Sequence, residues 1–86
     1  MDIRFINRKD EIINASELSI KVMGTSLIGI NAEQKIVEIE RYESEGIVRD
    51  RMLQIIEMIK KGVEKQYRGI IIDLRVIDKK GDGNDQ

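Results

Sequence analysis

One segment of the chain repeats apolar residues with the period of an α-helix. Between Glu45 and Arg68, apolar side chains recur at steps of three and four residues. They are Val48, Met52, Ile55, Ile56, Ile59 and Val63. Ser44 precedes the segment as a candidate N-cap, and Gly69 follows it as a candidate stop. The pattern predicts one amphipathic helix over residues 45–68, about 36 Å long at about 1.5 Å per residue.

Short runs of alternating apolar and polar residues precede this helix. They cover residues 3–5, 12–13, 18–23, 26–31 and 35–42, with polar or glycine-containing turns between them. A period of two is typical of strands that bury one face, and the order of the runs predicts an antiparallel meander. Gly29 lies inside one of these runs and predicts a bulge or a close backbone approach.

The last apolar run, residues 70–77, predicts a final β-strand. Six of its eight residues are apolar, and four of those are isoleucine. We therefore expect a single α+β domain over residues 1–77: an antiparallel meander, one long helix packed on one sheet face, and the final strand. Residues 78–86 are polar and glycine-rich and are expected to form a disordered tail.

A single helix covers only one face of a small sheet. The final strand is apolar on both sides, and Met23, Leu27 and Ile36 lie opposite the main alternating faces of their own strands. Burial of apolar surface contributes about 25 cal/mol per Å², so a patch left in water is unfavourable. We therefore expect a homo-oligomer, a dimer or higher, that covers this face or pairs edge to edge through the last strand. The alternative is a monomer whose strands curl enough to hide these residues.

The composition excludes most catalytic chemistry. The chain has no cysteine and no histidine, which removes disulfides, thiolate nucleophiles, imidazole ligands and the usual general base. We expect no enzyme activity, no cofactor and no metal site. Glu38 and Glu40, two apart on a strand, share a face and would suit a hard cation, but a solvated polar surface is the favoured interpretation. The absence of a signal peptide, a membrane span and disulfides predicts a cytoplasmic location.

Arginine and tyrosine stand together at both ends of the predicted helix. Arg41 and Tyr42 precede it, Tyr67 and Arg68 end it, and Arg75 lies on the predicted last strand. Arginine grips a phosphate with two donors while tyrosine stacks on a base or ribose, so these five residues form a candidate site for an anionic nucleotide. The charge is too dilute for duplex nucleic acid. In the alternative interpretation, the tyrosines cap the rim of the core and the cations are ordinary helix surface.

The order of several short motifs resembles a known group of proteins. The matching pieces are residues 3–7, residues 12–14, the strands over residues 18–42, and Tyr42-Glu43-Ser44-Glu45 with the helix that follows. Together they are similar to small, uncharacterised accessory proteins carried by prophages and plasmids of Gram-positive bacteria. The resemblance spans most of residues 1–77 and implies an accessory role on a mobile element, without a defined site. The closing apolar segment is longer here than in that group.

Two functions are compatible with these features. The first is a non-enzymatic, oligomeric protein of phage type that captures an anionic small molecule, such as a nucleotide immune signal, at a subunit interface lined by arginine and tyrosine. The second is a protein inhibitor or assembly module that masks a host protein through a strand edge or the cationic helix face. A transcriptional accessory that binds DNA is less favoured, because the positive charge is dilute.

Overall fold

The computed structural model describes residues 1–77. Its elements are β1 (Asp2–Ile6), β2 (Ile12–Asn14), β3 (Ser19–Met23), β4 (Ser26–Ile30), β5 (Ile36–Arg41), α1 (Glu45–Glu64) and β6 (Gly69–Asp73). A short helical turn follows at residues 74–77. The predicted α+β class, the long helix and a final strand are confirmed. The predicted tail, residues 78–86, lies outside the described residues.

The strands form two three-stranded sheets. The first has the order β2-β1-β6 and the second has the order β3-β4-β5. The second sheet is an antiparallel meander, as expected for β3, β4 and β5, but β1 and β2, which the prediction placed in the same meander, belong to the first sheet. In the first sheet, β1 pairs antiparallel with β2 but parallel with β6, which reaches it after α1. A parallel neighbour requires such a crossover, so the helix is what allows the final strand to pair within the chain.

The core lies between α1 and the two sheets, since the helix contacts β3, β4 and β6. Phe5 on β1 stands between Ile13 and Ile72 on its neighbouring strands, and all contribute to the hydrophobic core. The largest fully buried side chains are Phe5, Leu27, Ile39, Val48, Ile55, Ile72 and Leu74. Full burial of an aliphatic side chain of this size contributes about 1.5–3 kcal/mol, so this mostly aliphatic core holds the helix to both sheets.

The two ends of α1 differ in how closely they follow the prediction. At the N-terminus, the Ser44 hydroxyl accepts a hydrogen bond from the Ile47 N–H at 3.2 Å, as expected of an N-cap. At the C-terminus, the helix ends at Glu64, four residues before the predicted end. Gln66 takes a φ of 59°, and the Tyr67 N–H donates back to the Gly62 carbonyl at 3.0 Å. This is a Schellman ending with glutamine at the left-handed position, so Gly69 does not stop the helix.

The predicted last strand is wrong beyond Asp73, where β6 ends. The Asp73 carboxylate accepts a hydrogen bond from the Arg75 N–H at 3.0 Å and thereby caps the helical turn of residues 74–77. Leu74 is fully buried in the core. The cap and the burial of Leu74 therefore turn the chain away from the sheet after five strand residues.

Gly29 on β4 allows a close approach by the side chain of Leu18, whereas the sequence predicts a bulge or a close approach of the backbone. A Cβ atom at this position would lie 2.7 Å from Leu18 Cδ1 and 3.0 Å from Leu18 Cβ. The first distance is shorter than real Cβ atoms adopt and the second is unusually tight, so a larger residue at this position would force Leu18 to move.

The bulge itself lies elsewhere, on β5. Leu27 pairs with Glu40 while the next residue, Ile28, pairs with Glu38, so Ile39 is an extra residue in β5. Ile39 and Glu40 are both buried, although they are consecutive in a strand. The bulge therefore breaks the alternation of faces along β5, and the prediction that Glu38 and Glu40 share a face is wrong.

Candidate functional site

The loop between β1 and β2 forms one wall of a cleft at the end of β5. Asn7 is buried at the start of this loop, and its Oδ1 accepts hydrogen bonds from the N–H groups of Lys9 at 3.0 Å and Glu11 at 2.9 Å. Its Nδ2 donates to the Glu11 carboxylate at 2.8 Å and to the Ile39 carbonyl at 3.1 Å. Asn7 thus shapes the loop and attaches it to the bulge of the other sheet.

This cleft, which we call the loop cleft, has a volume of about 600 Å³ and is bounded by the β1–β2 loop and residues 38–43. Arg41 and Tyr42, two of the predicted ligand residues, lie in its lining. Tyr42 is buried, and the Arg8 guanidinium carbon lies 4.6 Å from the centre of its ring. Because Arg8 covers the ring in a cation–π contact, Tyr42 does not offer a face for a base to stack on.

The arginines of the loop cleft are bound to carboxylates. Arg8 Nη2 lies 3.3 Å from Glu40 Oε2, and Arg8 Nη1 lies 3.8 Å from Glu43 Oε2. Arg41 Nη2 lies 3.2 Å from Glu38 Oε2. A phosphate entering this cleft would have to displace these carboxylates, so the loop cleft is poorly suited to an anionic ligand.

The acidic residues of β5 have separate partners. Glu38 accepts a hydrogen bond from the Ser26 hydroxyl at 2.8 Å; that bond, followed by the charge of Arg41, holds the pKa of Glu38 below its usual range. Glu40 instead accepts from the Arg8 N–H at 2.7 Å. Within residues 1–77, no group of three or more acidic side chains is placed to hold a metal ion.

Arg75 is engaged in the same way at the end of β6. Its Nη1 lies 2.6 Å from Asp10 Oδ1, and its Nη2 lies 2.8 Å from Asp73 Oδ2. The hydrogen bond from Arg75 lowers the pKa of Asp73, and the two carboxylates raise the pKa of Arg75. Arg75 therefore ties the end of β6 to the β1–β2 loop, which leaves little of its charge for a ligand.

Tyr67 and Arg68 lie at the opposite end of β6. The Arg68 carbonyl accepts a hydrogen bond from the Asp2 N–H at 2.9 Å, at the start of the parallel pair of strands. Arg68 and Leu74 are six positions apart along the extended strand, a span of about 20 Å at about 3.3 Å per residue. The fold of a single chain therefore brings Arg41, Tyr42 and Arg75 to the β1–β2 loop and places Tyr67 and Arg68 away from them.

A second concave surface lies between β6 and the C-terminal end of α1. We call it the edge groove; its volume is about 390 Å³. It is lined by Met58, Lys61, Gly62, Tyr67, Gly69, Ile70 and Ile71. A Cβ on Gly62 would lie 3.1 Å from Ile70 Cγ2, so this glycine lets the strand approach the helix. The lining is mostly apolar, with the half-exposed Tyr67 ring at one end.

The edge groove runs along an open strand edge. Within residues 1–77, β6 pairs with β1 on one side and with no strand on the other. Backbone groups of a parallel strand point alternately to its two sides, and the Arg68 carbonyl points to β1. Ile70 and Ile72 therefore also bond to β1, while Ile71 turns its N–H and C=O towards the open edge. The Ile71 side chain is 63% exposed.

One cation, Lys61, lies in the lining of this groove, and Lys65 and Arg68 are close to it along the chain. Lys61, Lys65 and Arg68, which we call the cationic end of α1, are all exposed. None of them forms an ion pair with a carboxylate in the part of the chain that the structure describes. The contrast with the loop cleft is direct: the arginines there are bound to carboxylates, whereas the positive charge here is available to a ligand or partner.

The helix also leaves an apolar flank in water. Ile56 and Val63 were expected in its core-facing stripe, but they are 44% and 61% exposed. The stripe that α1 buries is narrower and follows Val48, Ile55 and Gly62, seven residues apart. Of the three residues expected on the open sheet face, Met23 and Ile36 are exposed, but Leu27 is buried in the core.

The sequence indicated Tyr67 and Arg68 but not the groove beside them. Gly62 could be interpreted only as a weak point in the helix, because its role depends on a strand that packs against it from the other side. Met58 and Lys61 likewise become lining residues of the groove only because β6 packs beside α1, which the sequence does not show.

Comparison with protein-family models, with curated proteins and with solved structures finds no match to this chain. No helix within residues 1–77 combines the length and the apolar character needed to span a membrane.

Proposed function

We propose that this protein is a non-enzymatic binding protein that masks another protein by pairing with it along the open edge of β6. The observation that carries the proposal is the edge groove, where an open strand edge and the cationic end of α1 meet. An extended segment of a partner adds main-chain hydrogen bonds to such an edge, and the adjoining pocket takes alternate side chains. An accessory role on a mobile element, in the cytoplasm of a bacterial host, is part of this proposal.

The charge around the groove indicates what the partner segment carries. Lys61 lies in the mostly apolar lining of the groove, and Lys65 and Arg68 follow close to it along the chain. None of the three forms an ion pair with a carboxylate among residues 1–77. A segment that alternates apolar residues towards the groove and ends in an acidic residue would match both features. The partner we expect is therefore a protein with an extended, acidic and apolar segment at its surface.

The test compares two isoleucines that differ in their surroundings. Ile71 lies on the open edge of β6, whereas Ile12, 70% exposed, lies on β2 at the opposite edge of the same sheet and away from the cations. We expect wild type and Ile12→Lys to capture one stoichiometric partner from host lysate, and Ile71→Lys to lose it. With the purified partner, the amides of Gly69, Ile71 and Asp73 should gain protection from hydrogen exchange. Capture that Ile71→Lys leaves undiminished would contradict the proposal.

Capture of an anionic small molecule, such as a nucleotide immune signal, is the second candidate. The observation that favours it is the half-exposed Tyr67 ring beside the cationic end of α1. A panel of cyclic nucleotides and ADP-ribose derivatives should then raise the melting temperature of wild type. Arg68→Gln should abolish that shift, and the matched variant Arg41→Gln should retain it. No shift with any member of the panel would dismiss this candidate.

A further inference from the structure

We infer that, when no other partner is bound, β6 pairs antiparallel with β6 of a second copy of this chain, around a two-fold axis at Ile71. The inference rests on the proposed function, because it concerns the same strand edge. The inference identifies the molecule that covers the β6 edge when no host protein is bound, namely a second copy of this chain. Open edges of this kind invite uncontrolled pairing, and natural proteins protect them. A second copy would provide that protection while leaving an edge that a masked protein can compete for.

The backbone of β6 is suited to this pairing. Ile71 directs its N–H and C=O to the open edge, as the alternation from Arg68 requires. In an antiparallel pair centred here, Ile71 exchanges both hydrogen bonds with Ile71 of the partner subunit. The result is one continuous six-stranded sheet with the order β2-β1-β6-β6-β1-β2.

The charges at the two ends of β6 select the antiparallel direction. Near the start of the strand lie the three cations Lys61, Lys65 and Arg68, of which Lys61 lines the edge groove and Arg68 directly precedes Gly69. The Asp2 carboxylate on the neighbouring strand is offset by Arg4, whose Nε lies 3.2 Å from Asp2 Oδ2. The end of the strand carries two carboxylates, Asp10 and Asp73, on the single guanidinium of Arg75, which is a net negative cluster. An antiparallel two-fold brings the positive start of each strand to the negative end of the other. A parallel pair would instead place like charges together.

The exposed side chains on this edge fit a symmetric contact. Ile71 is 63% exposed, and two copies of it become direct cross-strand neighbours on the outer face of the joined sheet. The pairing involves only five residues of each strand, from Gly69 to Asp73. Such a contact is smaller than a standard interface of about 800 Å² per partner, so the dimer should depend on protein concentration and remain displaceable.

The chain offers a clean test because it contains no cysteine. Residues in a hydrogen-bonded antiparallel pair have Cα atoms about 5.5 Å apart, which is within the range that a disulfide spans. Under mild oxidation, Ile71→Cys should therefore form a covalent dimer, at least about tenfold faster than the matched variant Ile12→Cys. Equal cross-linking of the two variants would overturn the inference. The reduced Ile71→Cys protein should retain the wild-type melting temperature, which shows that the variant folds.

Wild type provides a second measurement that needs no substitution. Light scattering should show a monomer–dimer equilibrium that weakens as salt is added, because the charges at the strand ends are exposed. Arg68→Glu should raise the dissociation constant by about tenfold. A wild-type protein that stays monomeric at millimolar concentration would overturn the inference but would leave host-protein capture intact. Failure of the proposed function would give a different result: Ile71→Lys would capture the host protein as well as wild type does, whether or not the dimer forms.

Discussion

The side-chain amide of Asn7 donates a hydrogen bond to the backbone carbonyl of Ile39 at 3.1 Å, and this bond joins the two sheets. Ile39 is the bulge residue of β5, and it is buried. A bulge leaves its extra residue without a regular cross-strand partner, so a side chain from elsewhere has to meet its polar groups. Asn7 does so from the loop that follows β1, and the bulge in one sheet thereby becomes the point at which the loop of the other sheet is attached.

The contribution of this bond to the free energy of unfolding can be distinguished from the contribution of the loop hydrogen bonds that Asn7 also makes, by comparison with a second asparagine. Asn31, in the β4–β5 loop, makes the same local pattern, because its Oδ1 accepts from the N–H groups of Glu33 and Lys35, both at 2.9 Å. Asn7→Ala should lower the free energy of unfolding by about 2–4 kcal/mol, since it also leaves the Ile39 carbonyl unsatisfied, and Asn31→Ala by about 1 kcal/mol. Urea denaturation measures both, and equal losses would show that the bond between the sheets adds nothing.

Replacing Gln66 with glycine should stabilise the protein. Gln66 has a φ of 59° at the end of α1, a left-handed conformation that costs a residue with a Cβ about 1–2 kcal/mol. Glycine removes this strain but has more freedom in the unfolded chain, so we expect a net gain of about 0.5–1 kcal/mol. Gln54→Gly, in the exposed middle of the same helix, should instead cost about 1 kcal/mol. Thermal denaturation should show a higher melting temperature than wild type for Gln66→Gly and a lower one for Gln54→Gly.

Local signals in the sequence predicted most of the elements of this fold. Ser44 lies before an apolar stripe of helical period, and the cap forms there because it needs only residues within one turn. The end of the helix was missed because the left-handed residue is a glutamine, whereas the rule favours the nearest glycine, Gly69. The end of β6 was missed for a similar reason, since Asp73 caps a turn in a run whose apolar residues suit a strand.

The arrangement of the candidate site could not be predicted, because it depends on long-range pairing. The insertion of β6 beside β1 separates Arg68 from Arg75 and makes Ile71 an edge residue. The order of residues in the sequence indicated cations at both ends of the helix, but it did not indicate which of these cations form ion pairs with carboxylates. Arg41 lies beside Glu38 only through the local path of β5, whereas Lys61 lies beside a groove that a strand far along the chain completes.

Gly29→Ala should destabilise the protein through its contact with Leu18. The added Cβ would lie 2.7 Å from Leu18 Cδ1, so the leucine must move within a packed region, at a cost of about 1–3 kcal/mol. In a Leu18→Ala background this cost should largely disappear, which a double-mutant cycle measures. Gly46→Ala is the matched control, because its nearest neighbour is Ser44 Oγ at 3.9 Å, and helix propensity favours alanine there. A loss at Gly29 that persists without the leucine would contradict this account.

Acid should remove the stabilisation that Arg75 gives to the end of β6. The hydrogen bond from Arg75 holds the pKa of Asp73 below its ordinary value of about 3.9. A depressed carboxyl pKa contributes stability that is fully present above the unfolded value and is lost as the pH falls through the folded one. The difference in unfolding free energy between wild type and Arg75→Gln should therefore be largest at neutral pH and vanish in acid.

Two measurements check this dependence. In Arg75→Gln, an NMR titration should show the pKa of Asp73 rising towards its ordinary value, because the hydrogen bond from the Arg75 side chain, the first cause of its shift, is gone while the backbone hydrogen bonds from residues 75 and 76 remain. Urea denaturation at neutral and acid pH should show the convergence of the two proteins. Arg49→Gln breaks an exposed ion pair with Glu45 within α1 and should change stability little at either pH. If the difference between wild type and Arg75→Gln were the same in acid as at neutral pH, Arg75 would act through packing of the turn and not through its charge on Asp73.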